Sequence, residues 1–276
     1  MSDAPESAPW LRHGELLLMQ RLVGQLTGAA VDSAEAERLA RKLERIARRL
    51  QCANFNELYF RLRHGGDGAA MHEAIDAITQ PATSWFRDGA PFASLQHSLL
   101  PAVLAARARL GHGRTLRIWS AACSTGQEAY GIAMVVHEVL RDLDGCDVRI
   151  LGTDIRKSAI AVAQHGVYPE SEIAGAVRPE LLRKYCEPTA SGFRVGPRVR
   201  ELVEFRPLDL MAPLLELGPF DVIFLRNVLS CFALPVRREL GARVCDRLLP
   251  HGFLVVGGTG VAPALAVPGS AASAQP

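Results

Sequence analysis

The chain has 276 residues, of which 49% are hydrophobic and 22% are charged. This composition is ordinary for a globular protein and excludes a disordered chain, a collagen-like repeat and a coiled coil. The 31 basic and 29 acidic side chains leave a net charge of +2, which is too small to favour a nucleic acid as partner. The length predicts one large domain or two of moderate size, with enough chain for a real core.

Cysteine usage and the two termini bear on where the protein works. The six cysteines are scattered and none stands in a C-x-x-C pair, which predicts reduced thiols, no disulfide framework and no metal site. The first ten residues lack the basic and apolar regions of a signal peptide. The uncharged end of the chain after Arg247 contains several Gly and Pro residues, which do not favour a membrane helix. We therefore expect a cytoplasmic monomer without membrane insertion.

Residues 1–78 predict an all-helical domain, in which Asp32 or Ser33 is the expected N-cap of the main helix. The apolar residues of that helix recur at helical spacing, namely Leu39, Leu43, Ile46 and Leu50. Its other side is basic and carries Arg38, Arg41, Lys42, Arg45, Arg48 and Arg49. This basic face is either a solvated surface that neighbouring glutamates partly pair or a docking surface for an acidic partner.

From residue 114 the pattern changes to alternating strands and helices, after a linker and helix over 79–113. The predicted strands are 115–122, 148–155, 202–210, 219–229 and 251–258. Their nearly continuous Val, Ile, Leu and Phe content predicts a parallel sheet that helices cover on both faces, an α/β Rossmann-like domain over 114–260. The tail 261–276 is rich in Ala, Gly and Pro, and we expect it to be disordered.

A loop of small residues follows the first predicted strand and reads SAACSTGQE (120–128). It matches neither the dinucleotide fingerprint nor the Walker A motif. Glu128 falls in the first turn of the next helix, where an acid repels a phosphate and attracts a cation. The loop therefore favours a ligand with a positively charged amine, such as S-adenosylmethionine, although a simple strand-to-helix turn stays an equally good interpretation.

Asp154 ends the second predicted strand, one strand after this loop. A carboxylate at that place can accept hydrogen bonds from the ribose hydroxyls of an adenosine. The alternative role is an N-cap for the predicted helix at 157–164. The order of loop and acid favours the ribose role, and the two roles are compatible.

Three segments together resemble one family. The first is ITQPATSWFRD (78–88), similar to a T-x-x-T-x-F-F-R signature; the second is RIWSAACSTGQEAY (117–130), similar to a cofactor loop; the third is FDVIFLRNVLSCF (220–232), similar to a fourth strand with an RN pair. In this order and spacing they resemble the chemoreceptor glutamate methyltransferases, the CheR-type family.

The resemblance implies a class I methyltransferase domain that binds S-adenosylmethionine and releases S-adenosylhomocysteine, behind a helical N-terminal domain and with a small β-subdomain at about 176–200. It implies that Arg87 lies close to the transferred methyl group. The implied cofactor-binding residues are Thr83, Arg87, Ala122, Glu128 at the methionine amine, Asp154 at the ribose, Asp209 and Leu210 at the adenine, and Arg226 and Asn227 in the same pocket. The implied reaction is methyl esterification of chemoreceptor glutamates, and the basic face would then dock on the receptor's cytoplasmic helix bundle.

The chain also departs from the family pattern. Cys231 replaces a tyrosine near the reacting methyl group, and Pro81 replaces an asparagine of the signature. The family's terminal β-hairpin is missing, so the fifth predicted strand is expected to be a sheet edge. The segment 184–195 is short for an insert that binds a receptor's C-terminal peptide. These departures motivate a second hypothesis, a weakened or inactive member that binds cofactor or receptor as an interaction module. A methyltransferase for small molecules or RNA is a third hypothesis, disfavoured by the charge and the motifs.

Overall fold

The computed structural model of the protein describes residues 21–24, 33–79, 83–111, 114–141, 143, 145–257 and 260–263, with backbone alone at 33–38, 114 and 260–263. The described residues form two compact units. One comprises those up to Thr79 together with Cys231–Val236, and the other comprises Thr83 to Ser230 and the residues from Arg237 onward. Asp32, Pro81 and the tail beyond Pro263 lie outside the described residues.

The first unit is helical, with α1 (Ser33–Arg49), α2 (Phe55–His64) and α3 (Gly68–Ile78). Side chains start two of these helices: Asn54 accepts a hydrogen bond from the Glu57 amide, and Asp67 accepts from two amides at the start of α3. The four apolar residues predicted to line α1 are buried, namely Leu39, Leu43, Ile46 and Leu50. The helical periodicity of the sequence is thus confirmed.

The basic face of α1 is solvent-exposed at Arg41, Arg45, Arg48 and Arg49. Arg48 pairs with Glu44 one turn earlier, at 2.6 Å, and Arg49 pairs with Glu73. Lys42 donates to the carbonyl of Ala77. The side chain of Arg38 lies outside the described residues. The face is therefore partly neutralised within its own unit, while Arg41 and Arg45 project into solvent.

The second unit is built on a sheet whose five parallel strands are β1 (Arg114–Ala121), β2 (Cys146–Asp154), β6 (Val203–Pro207), β7 (Phe220–Phe224) and β8 (Leu248–Val256). Their order is β6-β2-β1-β7-β8, so the first strand lies in the middle and the chain reverses direction beside it. At such a reversal the carboxyl ends of the strands leave a crevice for a ligand. This doubly wound arrangement confirms the Rossmann-like α/β fold.

The helices of this unit lie in the segments that connect its strands. Ahead of β1, the helix α4 (Ala90–Arg109) contains a π-helical turn at Leu95–Leu99. The later helices are α5 (Gln127–Leu140), α6 (Lys157–His165), α7 (Glu170–Ile173), α8 (Pro179–Tyr185), α9 (Pro197–Arg200) and α10 (Leu234–Cys245). Helix α5 is buried along its whole length from Gln127 to His137 except at Glu128. No helix in the described ranges has the length and apolar character needed to cross a bilayer.

Two expectations about strands need correction. A short strand, β9 (Gly260–Pro263), pairs antiparallel with β8 between Phe253 and Val256, so the fifth parallel strand is not a sheet edge there and the tail begins later than residue 261. The small sheet has the order β3-β5-β4, with β3 (Val167–Tyr168), β4 (Cys186–Thr189) and β5 (Gly192–Val195). It therefore starts before the predicted span of 176–200, because β3 is too short to show a strand pattern.

A buried charge cluster fixes the amino end of β7. Asp221 is fully buried and accepts two hydrogen bonds from Arg107, at 2.7 and 2.8 Å. It also accepts from the Arg117 amide and contacts the His251 ring at 2.9 Å. One carboxylate thus ties together α4, β1, β7 and β8, and it fixes the strand whose opposite end leads into Arg226.

Candidate functional site

The loop between β1 and α5 has a strained backbone that neighbouring groups hold in place. Ala122, Ser124 and Gly126 all have positive φ, at 58°, 53° and 94°, a region that non-glycine residues rarely adopt. The Cys123 amide donates to Thr153 on β2, at 2.8 Å. A Cβ at Gly126 would lie 2.8 Å from the Cβ of Ala163. A glycine is therefore required there both by the backbone angle and by the close approach of α6.

Asp154 lies at the carboxyl end of β2 and is buried. Its Oδ2 accepts the amide of Ser124, at 2.8 Å, and its Oδ1 accepts the amide of Arg156, at 2.9 Å. The N-cap of α6 is Arg156, and no side chain in the described part of the chain caps that helix. The alternative capping role of Asp154 is thus wrong, and the carboxylate instead fastens the loop after β1 to the end of β2.

Arg226 joins the three segments that carry the family resemblance. Its side chain is buried, and its Nη1 donates to Glu128 Oε2 at 2.8 Å. Its Nη2 donates to the Arg87 carbonyl at 2.8 Å and to Asp88 Oδ2 at 2.7 Å. The guanidinium therefore joins the first turn of α5, the segment before α4 and the segment that follows β7.

Glu128 is a largely buried carboxylate between two donors. The Ser120 hydroxyl donates to its Oε1 at 2.7 Å, and Arg226 donates to its Oε2. Burial raises the pKa of Glu128 above its ordinary value, and the charge of Arg226 with the Ser120 hydrogen bond opposes that shift. An acid in this setting suits an ammonium group, because burial disfavours the ionised carboxylate and a bound cation beside it stabilises that form.

The segment Thr83–Arg87 ends in a tight turn. Phe86 and Asp88 have positive φ, at 47° and 66°, which costs energy at a non-glycine position and persists only where the surroundings fix it. Trp85 is buried against Tyr130 and Tyr168, with ring centroids 6.5 and 5.1 Å away. Thr83 is half-buried and Arg87 is exposed, while Arg226 donates to the Arg87 carbonyl.

The remaining predicted cofactor residues follow β6 and β7. Asp209 is exposed, and its Oδ1 accepts the Met211 amide at 2.8 Å, whereas Leu210 is buried. The amide of Leu208 donates to the Asp154 carbonyl at 2.9 Å, so this loop starts beside the end of β2. Asn227 is exposed with a φ of 56°, a conformation that asparagine tolerates better than most residues.

Cys231 is exposed and ends a one-turn 3₁₀ helix, Leu229–Cys231. It belongs with Cys231–Val236 to the first unit. The described contacts therefore bring Glu128, Arg87 and Arg226 together within one unit, whereas Asp154 is joined to the same loop through Ser124. The catalytic role of the Cys231 position stays a prediction.

Sequence reasoning missed three side chains of this region. Arg156 contacts both Asp154 and Ser124, Asp88 pairs with Arg226, and Ser120 contacts Glu128. The position of Arg156 two residues after a strand-ending acid was a usable signal. Asp88 gave none, because it lies 138 residues from its partner.

The donor and acceptor groups present here fit S-adenosylmethionine. Arg226 Nε is buried and has no hydrogen-bond partner among the described residues, so it is a donor available to a carboxylate such as that of a methionine moiety. Glu128 suits the amine of the same moiety, and Asp154 suits a ribose. The loop 120–128 contains no basic side chain that would favour a phosphate.

Sequence comparisons find a family model and several named relatives. Residues 81–265 match the family model described as CheR methyltransferase, SAM binding domain. The chain is 37% identical over 194 residues to Chemotaxis protein methyltransferase 1 of Pseudomonas aeruginosa, covering 69% of each chain. It is 33% identical over 220 residues to Chemotaxis protein methyltransferase Cher2 of Pseudomonas putida, covering 78% of each.

A relative from a second genus is similar over a longer stretch. The chain is 34% identical over 234 residues to Probable chemotaxis protein methyltransferase of Rhizobium etli, covering 83% of this chain and 86% of the relative. The residues that match the family model include the strands of the parallel sheet, the loop after β1 and Arg226 with its partners. The second unit is therefore a methyltransferase domain that binds S-adenosylmethionine, and the chain belongs to the CheR methyltransferase family.

Proposed function

We propose that the protein transfers the methyl group of S-adenosylmethionine to glutamate side chains of chemoreceptors and so forms glutamyl methyl esters in chemotaxis-type signalling. The observation that carries this proposal is the convergence on Arg226 of Glu128, the Arg87 carbonyl and Asp88. The three segments of the resemblance are far apart in sequence, and these contacts place them at one site. The relatives are named chemotaxis protein methyltransferases, which supports methyl transfer in chemotaxis-type signalling.

The proposed residue roles follow the chemistry of each group. Glu128 holds the methionine amine, and Asp154 accepts from the ribose. Thr83 and Ala122 contact the cofactor, and the buried Leu210 offers an apolar surface beside the adenine. Asp209 and Asn227, both exposed, contribute polar groups at the same pocket.

The proposed reaction needs little proton transfer. When bound, the cofactor supplies an electrophilic methyl group on a sulfonium. A glutamate side chain has an unperturbed pKa of about 4.3, so at neutral pH the nucleophile is already ionised and requires no general base. The transfer cancels a negative and a positive charge, so a site that excludes water and orients the two groups accelerates it.

Arg87 is the proposed orienting residue. It is exposed, it lies on a turn that Trp85 and Arg226 hold on either side, and its charge acts on Glu128. A guanidinium in that place can donate to one oxygen of the incoming carboxylate and leave the other oxygen free to attack. The fixed backbone on both sides limits the entropy lost when Arg87 takes up this position.

We also propose that the basic face of α1 docks on an acidic surface of the receptor, in the cytoplasm. Four of its members are exposed. Arg48 and Arg49 also pair with Glu44 and Glu73, which leaves Arg41 and Arg45 as the members that contribute most charge to docking. The short segment 184–195 supports a docking mode that does not require a receptor's C-terminal peptide. On this view the enzyme finds its substrate chiefly through charge.

Incorporation of radiolabelled methyl groups tests the proposal. Receptor-containing membranes are incubated with the protein and labelled S-adenosylmethionine, and the label is then released with base. We expect base-labile label in the receptor band that disappears when the receptor's candidate glutamates are changed to alanine. Label that resists base, or that appears in RNA or small molecules, would contradict the glutamyl ester.

The second hypothesis, an interaction module with weak or no activity, has a separate outcome in the same experiment. Binding of S-adenosylhomocysteine together with receptor binding, but without label, would favour it. The Cys231→Tyr variant then becomes informative, because restored labelling would assign the loss to the residue that departs from the family pattern. Labelling by the wild-type protein removes the reason for this hypothesis.

A further inference from the structure

Arg156 forms a buried ring of contacts with the acid that ends β2. Its backbone amide and its Nε both donate to Asp154 Oδ1, at 2.9 and 3.4 Å. Its Nη2 donates to the Ser124 hydroxyl at 2.7 Å, and the Ser124 amide donates to Asp154 Oδ2 at 2.8 Å. The Arg156 and Asp154 side chains are only 9% and 6% exposed. The ring therefore joins the end of β2 to the loop after β1 out of contact with water.

The same strand carries a comparable pair that is not buried. Asp147 and Arg149 have the same spacing near the other end of β2, and their closest approach is 3.5 Å. Their side chains are 54% and 70% exposed. A surface pair of this kind contributes little, because water and salt screen it. The same Asp-x-Arg spacing therefore gives a screened pair at one end of β2 and a buried pair at the other, where the site lies.

Counting lone pairs indicates what this ring leaves for a ligand. An ionised carboxylate has about four acceptor positions. Arg156 takes two of them on Oδ1 and the Ser124 amide takes one on Oδ2. About one position remains, on Oδ2. The guanidinium contacts Asp154 Oδ1 through Nε and the Ser124 hydroxyl through Nη2, and so it restrains the carboxylate and the loop after β1 relative to each other.

We propose that Arg156 is a positioning residue that fixes the Asp154 carboxylate so that Oδ2 accepts one hydroxyl of the cofactor ribose. The inference rests on the proposed ribose role of Asp154. It adds that Arg156 sets the orientation of the carboxylate that accepts from the ribose. Arg156 does not touch the cofactor. It acts through Asp154 and, by way of Ser124, through the backbone of the loop after β1.

Calorimetric titration tests this inference without relying on turnover. S-adenosylhomocysteine and its 2′-deoxy and 3′-deoxy ribose analogues are titrated into the wild-type protein and into Asp154→Ala, Arg156→Met and Arg156→Lys. Arg149→Met is the matched control, because it removes the exposed arginine of the same strand. The readout is the ratio of dissociation constants between each deoxy analogue and the parent compound. A general loss of folding would not change that ratio selectively.

We expect one deoxy analogue to bind the wild-type protein roughly 10- to 100-fold more weakly, as for one lost hydrogen bond to a charged group. Asp154→Ala abolishes this preference, Arg156→Met reduces it to a few-fold, and Arg156→Lys gives an intermediate ratio because lysine keeps the charge but not the fork. Arg149→Met leaves the ratio unchanged.

Two results overturn the inference and are distinguishable. If Asp154→Ala weakens binding but Arg156→Met and Arg156→Lys keep the wild-type ratio, Arg156 is merely structural and the role of Asp154 stands. If Asp154→Ala binds all three compounds like the wild type, the ribose role itself is wrong and Arg156 has nothing to position. Should Arg156→Met fail to fold, the ratio measured with Arg156→Lys decides.

Discussion

Removing Arg226 should destabilise the second unit by leaving Glu128 as a buried charge without a partner. In Arg226→Met, which keeps the approximate length of the side chain, the Glu128 carboxylate loses its ion-pair partner and keeps, among the described residues, the Ser120 hydrogen bond and the weaker effect of the Arg87 charge. The carbonyl of Arg87 also loses its donor. Breaking a buried ion pair by removing one partner costs about 3–5 kcal/mol. Asp88 adds little to that cost, because its side chain is 41% exposed and water can replace the lost partner.

Urea and thermal unfolding measure this cost. For a unit of this size, 3–5 kcal/mol corresponds to a fall in melting temperature of roughly 6–20 °C. The double variant Arg226→Met, Glu128→Gln should recover much of the loss, because removing both charges costs far less than removing one. Arg149→Met, which breaks an exposed pair, is the control and should change stability by less than about 0.5 kcal/mol.

The loss should also depend on pH in a defined direction. Burial raises the pKa of Glu128, and the charge of Arg226 opposes that shift. The pKa of Glu128 should therefore be still higher in Arg226→Met. A group whose folded pKa lies above its unfolded value gains folding stability as pH falls through the folded pKa. The deficit of Arg226→Met should therefore shrink at acid pH, where Glu128 becomes neutral. A deficit below about 1 kcal/mol, or a double variant no more stable than the single one, would refute the ion-pair reasoning.

Three further predictions follow from the site and from α1. Binding of S-adenosylhomocysteine should weaken as pH falls through the pKa of Glu128, which lies above its ordinary value of 4.5. Glu128→Gln should bind weakly at every pH, and a pH-independent affinity of the wild-type protein would show that Glu128 does not hold the amine. Gly126→Ala should destabilise the unit by about 1–3 kcal/mol in urea unfolding, because the new Cβ meets Ala163 at a positive φ, and unchanged stability would show that the loop relaxes. Receptor methylation should fall steeply with salt, since the Debye length is about 8 Å at physiological ionic strength. The double variant Arg41→Glu, Arg45→Glu should raise the apparent KM far more than Arg48→Glu does, and salt-independent methylation would show that docking uses another surface.

Much of the second unit follows from local sequence patterns. The five parallel strands have continuous apolar runs, and such runs are typical of strands that are covered on both faces. Glu128 and Asp154 were identifiable because each follows a strand at the edge where parallel sheets bind ligands. Strand order places both acids beside the loop after β1, where the structure has them.

Other features depend on tertiary contacts that no local pattern reports. The strand β9 is a short Gly-Val-Ala-Pro segment whose pairing with β8 stabilises a sequence with little strand propensity. Asp154 lies shortly before α6, as a capping residue would. Its carboxylate instead accepts the Ser124 amide of the loop after β1 and the Arg156 amide, and it does not cap the helix. The contrast between Arg156 and Arg149 is likewise one of burial, and burial is decided by the packing of the whole domain.

The most direct test of the proposed reaction is the rate of receptor methylation by Arg87→Ala, measured beside its affinity for S-adenosylhomocysteine and its melting temperature. Of the two predicted catalytic residues, Arg87 lies in the methyltransferase unit, exposed on a turn whose carbonyl Arg226 holds. We expect the rate to fall by roughly 100-fold or more, as for lost orientation of a nucleophile, while affinity and melting temperature change far less. A variant that keeps its specific activity and merely unfolds at a lower temperature would show that Arg87 is structural and would contradict the proposed reaction geometry.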